Sequence, residues 1–286
     1  MEEYIDGKTK IYGVVGKPIS HTLSPSIHNY IAQINNENKV YLPFLVEDDI
    51  KKAIEGAFVL DIKGLNITVP YKEAVMKVLE GYDEAAGVVG AVNTLVKTQD
   101  GYYGYNTDVI GLKKAMEYDG VNIKDEVVVI LGAGGAARAA CYLCAKEGAR
   151  KIYILNRTIA KADAIARDIR NVCRYKNVIS LSIDDYSDII ENEIVVIQTT
   201  SVGLSNKDEV IIENDDFYDK ISVGYDVIYS PSITRFMEMI ISRNKRAYNG
   251  LKMLVCQAIA SYEIWSGNTL EEDMVEGIYL HIKKMV

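Results

Sequence analysis

Histidine is scarce in this chain, three residues in 286, and none falls at a zinc-ligand spacing with cysteine. No resident metal is expected. Cysteine is limited to four residues, and Met1 to Asp6 is acidic, without the apolar core of a secretory leader. These features predict no signal peptide and a reducing, cytoplasmic setting. No apolar run approaches the roughly 20 residues of a membrane span, so no membrane partner is expected. Positive charge is in deficit: Lys and Arg number 32 against 40 Asp and Glu, a net −8 with no basic stripe. A polyanionic backbone would be repelled overall, so nucleic acid is not an expected partner either. Internal repeats and low-complexity stretches are also missing.

What remains is an ordinary globular composition, 49% hydrophobic and 25% charged, long enough for two domains that each bury a core. One stretch stands out, Val127 to Arg138 (VVVILGAGGAAR). A β-branched apolar run breaks into a glycine-rich turn and then an Ala-rich segment running to Gly148, with Lys151 to Leu155 as the next parallel strand. Glycines at 132, 134 and 135 let backbone amides approach a ligand, with Ala136 and Ala137 following. The start of the helix aims free N–H groups and a positive dipole end at a phosphate. This is a dinucleotide-binding βαβ unit, with Ala137 at the third small position. Cys141 and Cys144 form a C-x-x-C inside the same helix, one turn apart among Ala, Tyr and Leu, where packing against a sheet accounts for them better than redox chemistry does.

Strand-like runs alternate with helical patterns along the chain, which predicts an α/β fold with parallel sheets. Strands are expected at Ile11–Val15, Val40–Val46, Ile62–Val69, Ala91–Val96, Val178–Leu181, Ile194–Ile197 and Val223–Val227. Ser24 and Pro25 read as an N-cap and first residue of a helix to Ile34, and Asp48 or Asp49 as the start of the next. Gly101 to Asp108 reads as a turn-rich crossing, after which Thr107 caps a helix that places Val109, Leu112 and Met116 on one face. Pro231 is positioned to open a helix through Ile241. After Gly250 an apolar stripe of Leu251, Leu254, Val255, Ala258, Ile259 and Tyr262 gives one helix, and a second begins near Leu270. The expected division is 1–107 with 247–286 as one domain, and 108–246 as an inserted dinucleotide-binding domain.

The second strand of that unit ends Leu155-Asn156-Arg157-Thr158. NAD-binding units carry an acid there for the ribose 2′-hydroxyl. A guanidinium instead can hold a 2′-phosphate bidentately, and Lys161, one helical turn on, adds charge. The expected cofactor is NADP. Reducing a carbonyl also needs a proton donor. The best candidate is Lys72, just past a strand end that also carries Asn66 and Thr68.

Several segments together resemble the shikimate dehydrogenases (the shikimate/quinate dehydrogenase family): GKPISHTLSPSIHN at 16–29, GLNITVPYK at 64–72, GAVNTL at 90–95, GYNTD at 104–108, the glycine turn, Asn156-Arg157-Thr158, YDVIYSP at 225–231 and NGLKMLVCQ at 249–257. The resemblance spans essentially the whole chain in order. It implies an N-terminal α/β substrate domain, an inserted Rossmann-type NADP domain, and C-terminal helices that return to the first. It also implies reversible reduction of 3-dehydroshikimate to shikimate by NADPH, a step of aromatic amino-acid biosynthesis. Lys72 and Asp108 carry over as the catalytic pair. Thr22, Ser24, Thr68, Asn93, Tyr229 and Gln257 carry over as substrate contacts. Gly132, Gly134, Gly135, Ala136, Asn156, Arg157, Thr158, Lys161 and Gly250 carry over as cofactor contacts. The protein is expected to work as a monomer or homodimer. One departure stands at Thr22, where the family usually has serine. Threonine keeps the hydroxyl that binds the substrate carboxylate but adds a methyl. Replacements in this pair occur in relatives that accept quinate, so quinate use or NAD use is the alternative. The larger side chain and Arg157 both argue against it.

Overall fold

The computed structural model describes residues 5–286, so Met1 to Tyr4 of the acidic N-terminal stretch lie outside the described residues. The chain divides into two compact units, residues up to 111 with Val255–Met285, and Leu112–Leu254.

The first unit contains β1 (Lys10–Gly16), α1 (Ser24–Ile34), β2 (Lys39–Leu45), α2 (Ile50–Val59), β3 (Gly64–Ile67), β4 (Gly81–Tyr82), α3 (Glu84–Val89), β5 (Thr94–Lys97), β6 (Tyr102–Tyr105) and the start of α4 (Thr107–Tyr118). Its sheet runs β2-β1-β3-β5-β6-β4. The expectation of parallel sheets fails here. β1 pairs parallel with β2 and β3, but β5 runs antiparallel to both β3 and β6. The cause lies in the stretch read as a turn-rich crossing: Tyr102–Tyr105 is a strand, returning from β5 through a short turn too tight for a helical crossover. Ile54, Leu65, Ile67, Val75, Val92, Leu95 and Tyr102 fill the core.

Three expected helix starts move. Ser24 is the first helical residue rather than the cap. Leu23 occupies the cap position without a side-chain bond, and Thr22 engages the Ser24 hydroxyl. Asn106, not Thr107, caps α4, its Oδ1 accepting from the N–H groups of Asp108 (3.1 Å) and Val109 (3.4 Å). The helix expected at Pro231 begins at Arg235, capped by Thr234, whose hydroxyl accepts from Met237 N–H. Asp49 does cap α2.

The second unit continues with β7 (Val127–Leu131), α5 (Gly135–Lys146), β8 (Lys151–Asn156), α6 (Ile159–Val172), β9 (Val178–Ser182), β10 (Ile194–Gln198), α7 (Asp215–Asp219), β11 (Ile221–Asp226), α8 (Arg235–Ile241) and β12 (Arg246–Tyr248). All strands pair parallel, in the order β12-β11-β10-β7-β8-β9. Every residue of β7 is buried, as a strand covered on both faces requires. Val127, Val129 and Leu131 face a core of Ile194, Val196, Phe217 and Phe236. On entering α5, Ala137, Ala139, Ala140, Cys141 and Cys144 are completely buried, and small side chains let this helix lie close on the sheet. The chain reverses its direction of strand addition at β7, which has β8 on one side and β10 on the other. In an open α/β sheet that switch point opens a crevice beyond the strand carboxyl ends.

The chain closes with α9 (Leu251–Ser266) and α10 (Glu272–Lys283). From Val255 on they belong to the first unit, where Trp265 Nε1 donates to Leu95 O (2.9 Å) and His281 stacks on Tyr30. Among the described residues no helix is long and apolar enough to cross a membrane.

Burial pushes the thiol pKa of both Cys141 and Cys144 well up, so neither offers a thiolate. Under brief alkylation of the native protein, the partly exposed Cys173 is expected to label before either. Peptide mapping that finds Cys141 or Cys144 labelled first would overturn their packing role.

Candidate active site

Lys72 follows β3 in the first unit, its carbonyl fixed by the Val92 N–H (2.8 Å). Its Nζ donates to Asp108 Oδ2 at 2.7 Å, and both side chains are partly buried. Asp108 lies in the first turn of α4, where the positive end of the helix favours a carboxylate. Its other oxygen accepts from Asn93 Nδ2 at 2.9 Å. The Asn93 amide can face only one way. Its Oδ1 accepts from the Thr107 N–H (2.8 Å), which leaves Nδ2 turned to Asp108. The hydroxyls of Thr94 and Thr107 also reach that Oδ1.

Behind Asn93 lies a buried polar network. Asn66 Nδ2 reaches Asn93 O, Thr94 Oγ1 and Ser261 Oγ at 3.0–3.1 Å, while its Oδ1 accepts from the Tyr41 hydroxyl at 2.7 Å. Ser261 bonds Thr94 Oγ1 (2.8 Å) and donates to the carbonyl of Gln257 (3.0 Å), one turn back on α9. The helix that carries Gln257 is thus pinned to the strand that carries Asn93. Fully satisfied buried networks of this kind rigidify what they hold.

Thr22 and Ser24 form a preassembled hydroxyl pair, Thr22 Oγ1 donating to Ser24 Oγ (3.2 Å) and accepting from Ser24 N–H (3.3 Å). Thr68 is half-buried with its N–H on Val15 O (2.9 Å). His28 is buried against Tyr41, and burial pushes its pKa down to about 3. It is neutral at physiological pH. Tyr229 belongs to the second unit, half-buried in the segment after β11.

The second unit holds a cavity of about 600 Å³ beyond the carboxyl ends of β7, β8 and β10. Gly132 and Gly134 line it from the glycine turn, Asn156, Arg157, Thr158 and Lys161 from the end of β8 and the start of α6, and Thr199 to Val202 from the end of β10. Gly132 has φ +115°, and a Cβ there would lie 2.6 Å from Thr199 Oγ1, so no other residue fits. Gly134 and Gly135 are different. A Cβ on either would meet no protein atom within 4 Å, so the protein's own packing does not demand these glycines. Their bare backbone leaves room for close approach of a ligand. Gly135 and Ala136 open α5, whose first intrahelical bond runs from Arg138 N to Gly134 O, and no side chain caps the start. Their N–H groups are the ones a pyrophosphate would take. Arg157 and Lys161 are exposed and form no ion pair among the described residues, as a site for a 2′-phosphate requires. The donor set and the cradle fit a phosphorylated dinucleotide. Gly250 does not line this cavity. A Cβ there would lie 2.1 Å from Val227 O, so close backbone packing explains it.

Sequence reasoning missed Thr94, Ser261, Gln198 and Asp226. Each is a polar residue at an apolar position of a strand or helix, and that mismatch was the available signal.

The family model for the shikimate dehydrogenase substrate binding domain matches residues 14–95, and that for shikimate / quinate 5-dehydrogenase matches 113–221. The shikimate dehydrogenase (NADP(+)) of Methanobrevibacter smithii is 39% identical over 275 residues, 95% of this chain and 96% of its own. A shikimate dehydrogenase solved in complex with NADP+ superposes with a TM-score of 0.88 at 35% identity, covering 97% of each chain. The shikimate 5-dehydrogenase of Listeria monocytogenes, solved with shikimate and NAD, gives 0.89 at 30% identity, over 97% of this chain and 99% of that one. Extensive likeness in both units, with the Lys72, Asp108 and Asn93 cluster in the first and the glycine-lined cavity in the second, places this chain in the shikimate dehydrogenase family.

Proposed function

We propose that this protein catalyses the reversible NADP(H)-dependent interconversion of 3-dehydroshikimate and shikimate, and that it does so in the cytoplasm. The observation that carries the reading is the Lys72–Asp108 pair, 2.7 Å apart and held by Asn93. Bound to the second unit, NADPH supplies the hydride that reduces the substrate carbonyl. Lys72 does the rest of the bond chemistry. Its ammonium polarises the carbonyl, then gives a proton to the oxygen as the π pair collapses onto it, and the resulting amine regains a proton from water. In the oxidative direction the amine takes the hydroxyl proton. The Asp108 carboxylate holds the ammonium in place. Asn93, its Oδ1 engaged by Thr94 and Thr107, has an Nδ2 hydrogen to donate to a ring hydroxyl, and Gln257, as a neutral amide, can donate and accept, while the Thr22 and Ser24 hydroxyls take the carboxylate. Thr68 and Tyr229 complete the substrate contacts. Gly132, Gly134, Gly135 and Ala136 hold the pyrophosphate, and Asn156, Arg157, Thr158 and Lys161 the phosphorylated ribose. An intact proton-transfer site has no use in a dinucleotide sensor, which disfavours a regulatory module.

An assay crossing shikimate and quinate with NADP+ and NAD+ tests the reading. Shikimate with NADP+ is expected to give the highest kcat/KM of the four combinations. Faster oxidation of quinate, or a preference for NAD+, would replace this assignment with the quinate or NAD-linked one.

A further inference from the structure

One buried acid takes no part in the chemistry described above. Asp226 ends β11 with no exposed surface, and burial pushes its pKa up to about 6. No lysine, arginine or histidine pairs with it among the described residues. A buried carboxylate without a cation disfavours folding, so its presence calls for a return elsewhere.

Its three bonds indicate what that return is. Oδ1 accepts from the Ile228 N–H (2.9 Å) and from Gln198 Nε2 (3.3 Å), and Oδ2 accepts from the Thr234 hydroxyl (2.7 Å). All three partners donate to it, and a carboxylate, which only accepts, takes the three bonds at once. Gln198 ends β10 and is equally buried. Because one of its two Nε2 hydrogens goes to Asp226, the other goes to Val202 O (3.1 Å), while its Oε1 accepts from the Thr200 N–H. Thr200 and Val202 belong to the segment that walls the dinucleotide cavity.

We infer that Asp226 is a positioning residue for cofactor binding: it fixes the Gln198 amide, and Gln198 clamps the backbone of Thr199–Val202 into the wall of the cavity. This inference rests on the reading of that cavity as the dinucleotide site. The same carboxylate holds the start and end of the Ile228–Thr234 segment, so one buried charge sets two loops at the carboxyl edge of the sheet. An asparagine at 226 can keep the two bonds at Oδ1 and turn its N–H₂ to the Thr234 hydroxyl, which can accept, so the clamp on Gln198 is lost only when the side chain is cut back to Cβ, as in Asp226→Ala.

Asp226→Ala, Gln198→Ala, their double variant and Asp226→Asn decide the matter, with dissociation constants for NADPH and NADH read from nicotinamide fluorescence at a temperature where every variant is folded by its melting curve. Asp226→Ala is expected to weaken both dinucleotides about tenfold, the worth of one hydrogen bond to a charged group. Asp226→Asn keeps an acceptor for Gln198 and should bind within about threefold of wild type. Gln198→Ala should weaken both cofactors as much as Asp226→Ala does, and the double variant should bind no worse than the weaker single one. Binding within twofold of wild type in Asp226→Ala would overturn the inference. So would additive losses in the double variant, or a loss in Asp226→Asn as large as in Asp226→Ala, which would tie binding to the charge and not to the Gln198 bond. Wild-type protein that binds neither dinucleotide would instead overturn the reading of the cavity.

Discussion

Lys72→Ala is expected to lower kcat about 10³-fold, within the range for removing a positioned general acid. The Michaelis constant for shikimate should move by a few-fold at most. The reason lies in how little else Lys72 does. Its ammonium has one anionic partner, Asp108, and in the variant that partly buried carboxylate is still held by Asn93 Nδ2 and by the positive end of α4. The variant should therefore melt close to the wild type, and lost turnover would report chemistry rather than folding. Asp108→Asn probes the same pair from the other side. It keeps the shape and the place in the first turn of α4, but the amide cannot hold an ammonium as a carboxylate does. A smaller loss is expected there, on the order of 10²-fold. Steady-state kinetics on both variants, with melting curves alongside, provide the check. Turnover at the wild-type level in Lys72→Ala would remove this lysine from the mechanism.

Lys72 was legible as a candidate because it follows a strand end, whereas Asp108 was reached only through the resemblance of its GYNTD segment to the family. The glycine turn, like Lys72, has local meaning: strand, turn and helix are consecutive, so periodicity and φ requirements mark them without knowledge of the fold. Mixed pairing in the first sheet was not legible. Tyr102 to Tyr105 follows Gly101, contains Gly104 and alternates weakly, so it reads as a turn until β5 is seen beside it. The supports of the site were less visible still. Asn66 and Ser261 are 195 residues apart in the chain, yet they share a hydrogen bond. Nothing in the periodicity of either segment predicts that meeting, and what the sequence does contain is only a polar side chain where an apolar one would suit the stripe. Asp226 and Gln198 repeat the pattern at the ends of two neighbouring strands. Residues that act through partners distant in the chain need the topology before their function can be read.

Arg157→Ala is expected to raise the Michaelis constant for NADP(H) about 10- to 100-fold while leaving that for NAD(H) within about twofold. A hydrogen bond to a charged group is worth about 1.5–3 kcal/mol, and a tenfold change in affinity corresponds to about 1.4 kcal/mol. Losing one guanidinium from a 2′-phosphate therefore falls in that interval. Two features of the cavity set where in the interval the result should lie. Lys161 lines the same wall and keeps part of the positive charge in the single variant, which pulls the effect toward the lower end. Arg157→Ala with Lys161→Ala removes both charges and should bring the two cofactors to near parity. The rest of the cofactor site is indifferent to the 2′-phosphate, since the N–H groups at the start of α5 meet a pyrophosphate common to both dinucleotides. The discriminating quantity is thus the ratio of kcat/KM values for NADP+ and NAD+, measured on wild type, single and double variants. Selective loss for NADP+ would assign the 2′-phosphate to this wall, and equal losses for both cofactors would mean that Arg157 does not touch it. The contrast with Asp226→Ala is built in: a weakened loop clamp should affect both dinucleotides alike and preserve the preference, whereas loss of Arg157 should reduce the preference and preserve NAD(H) binding.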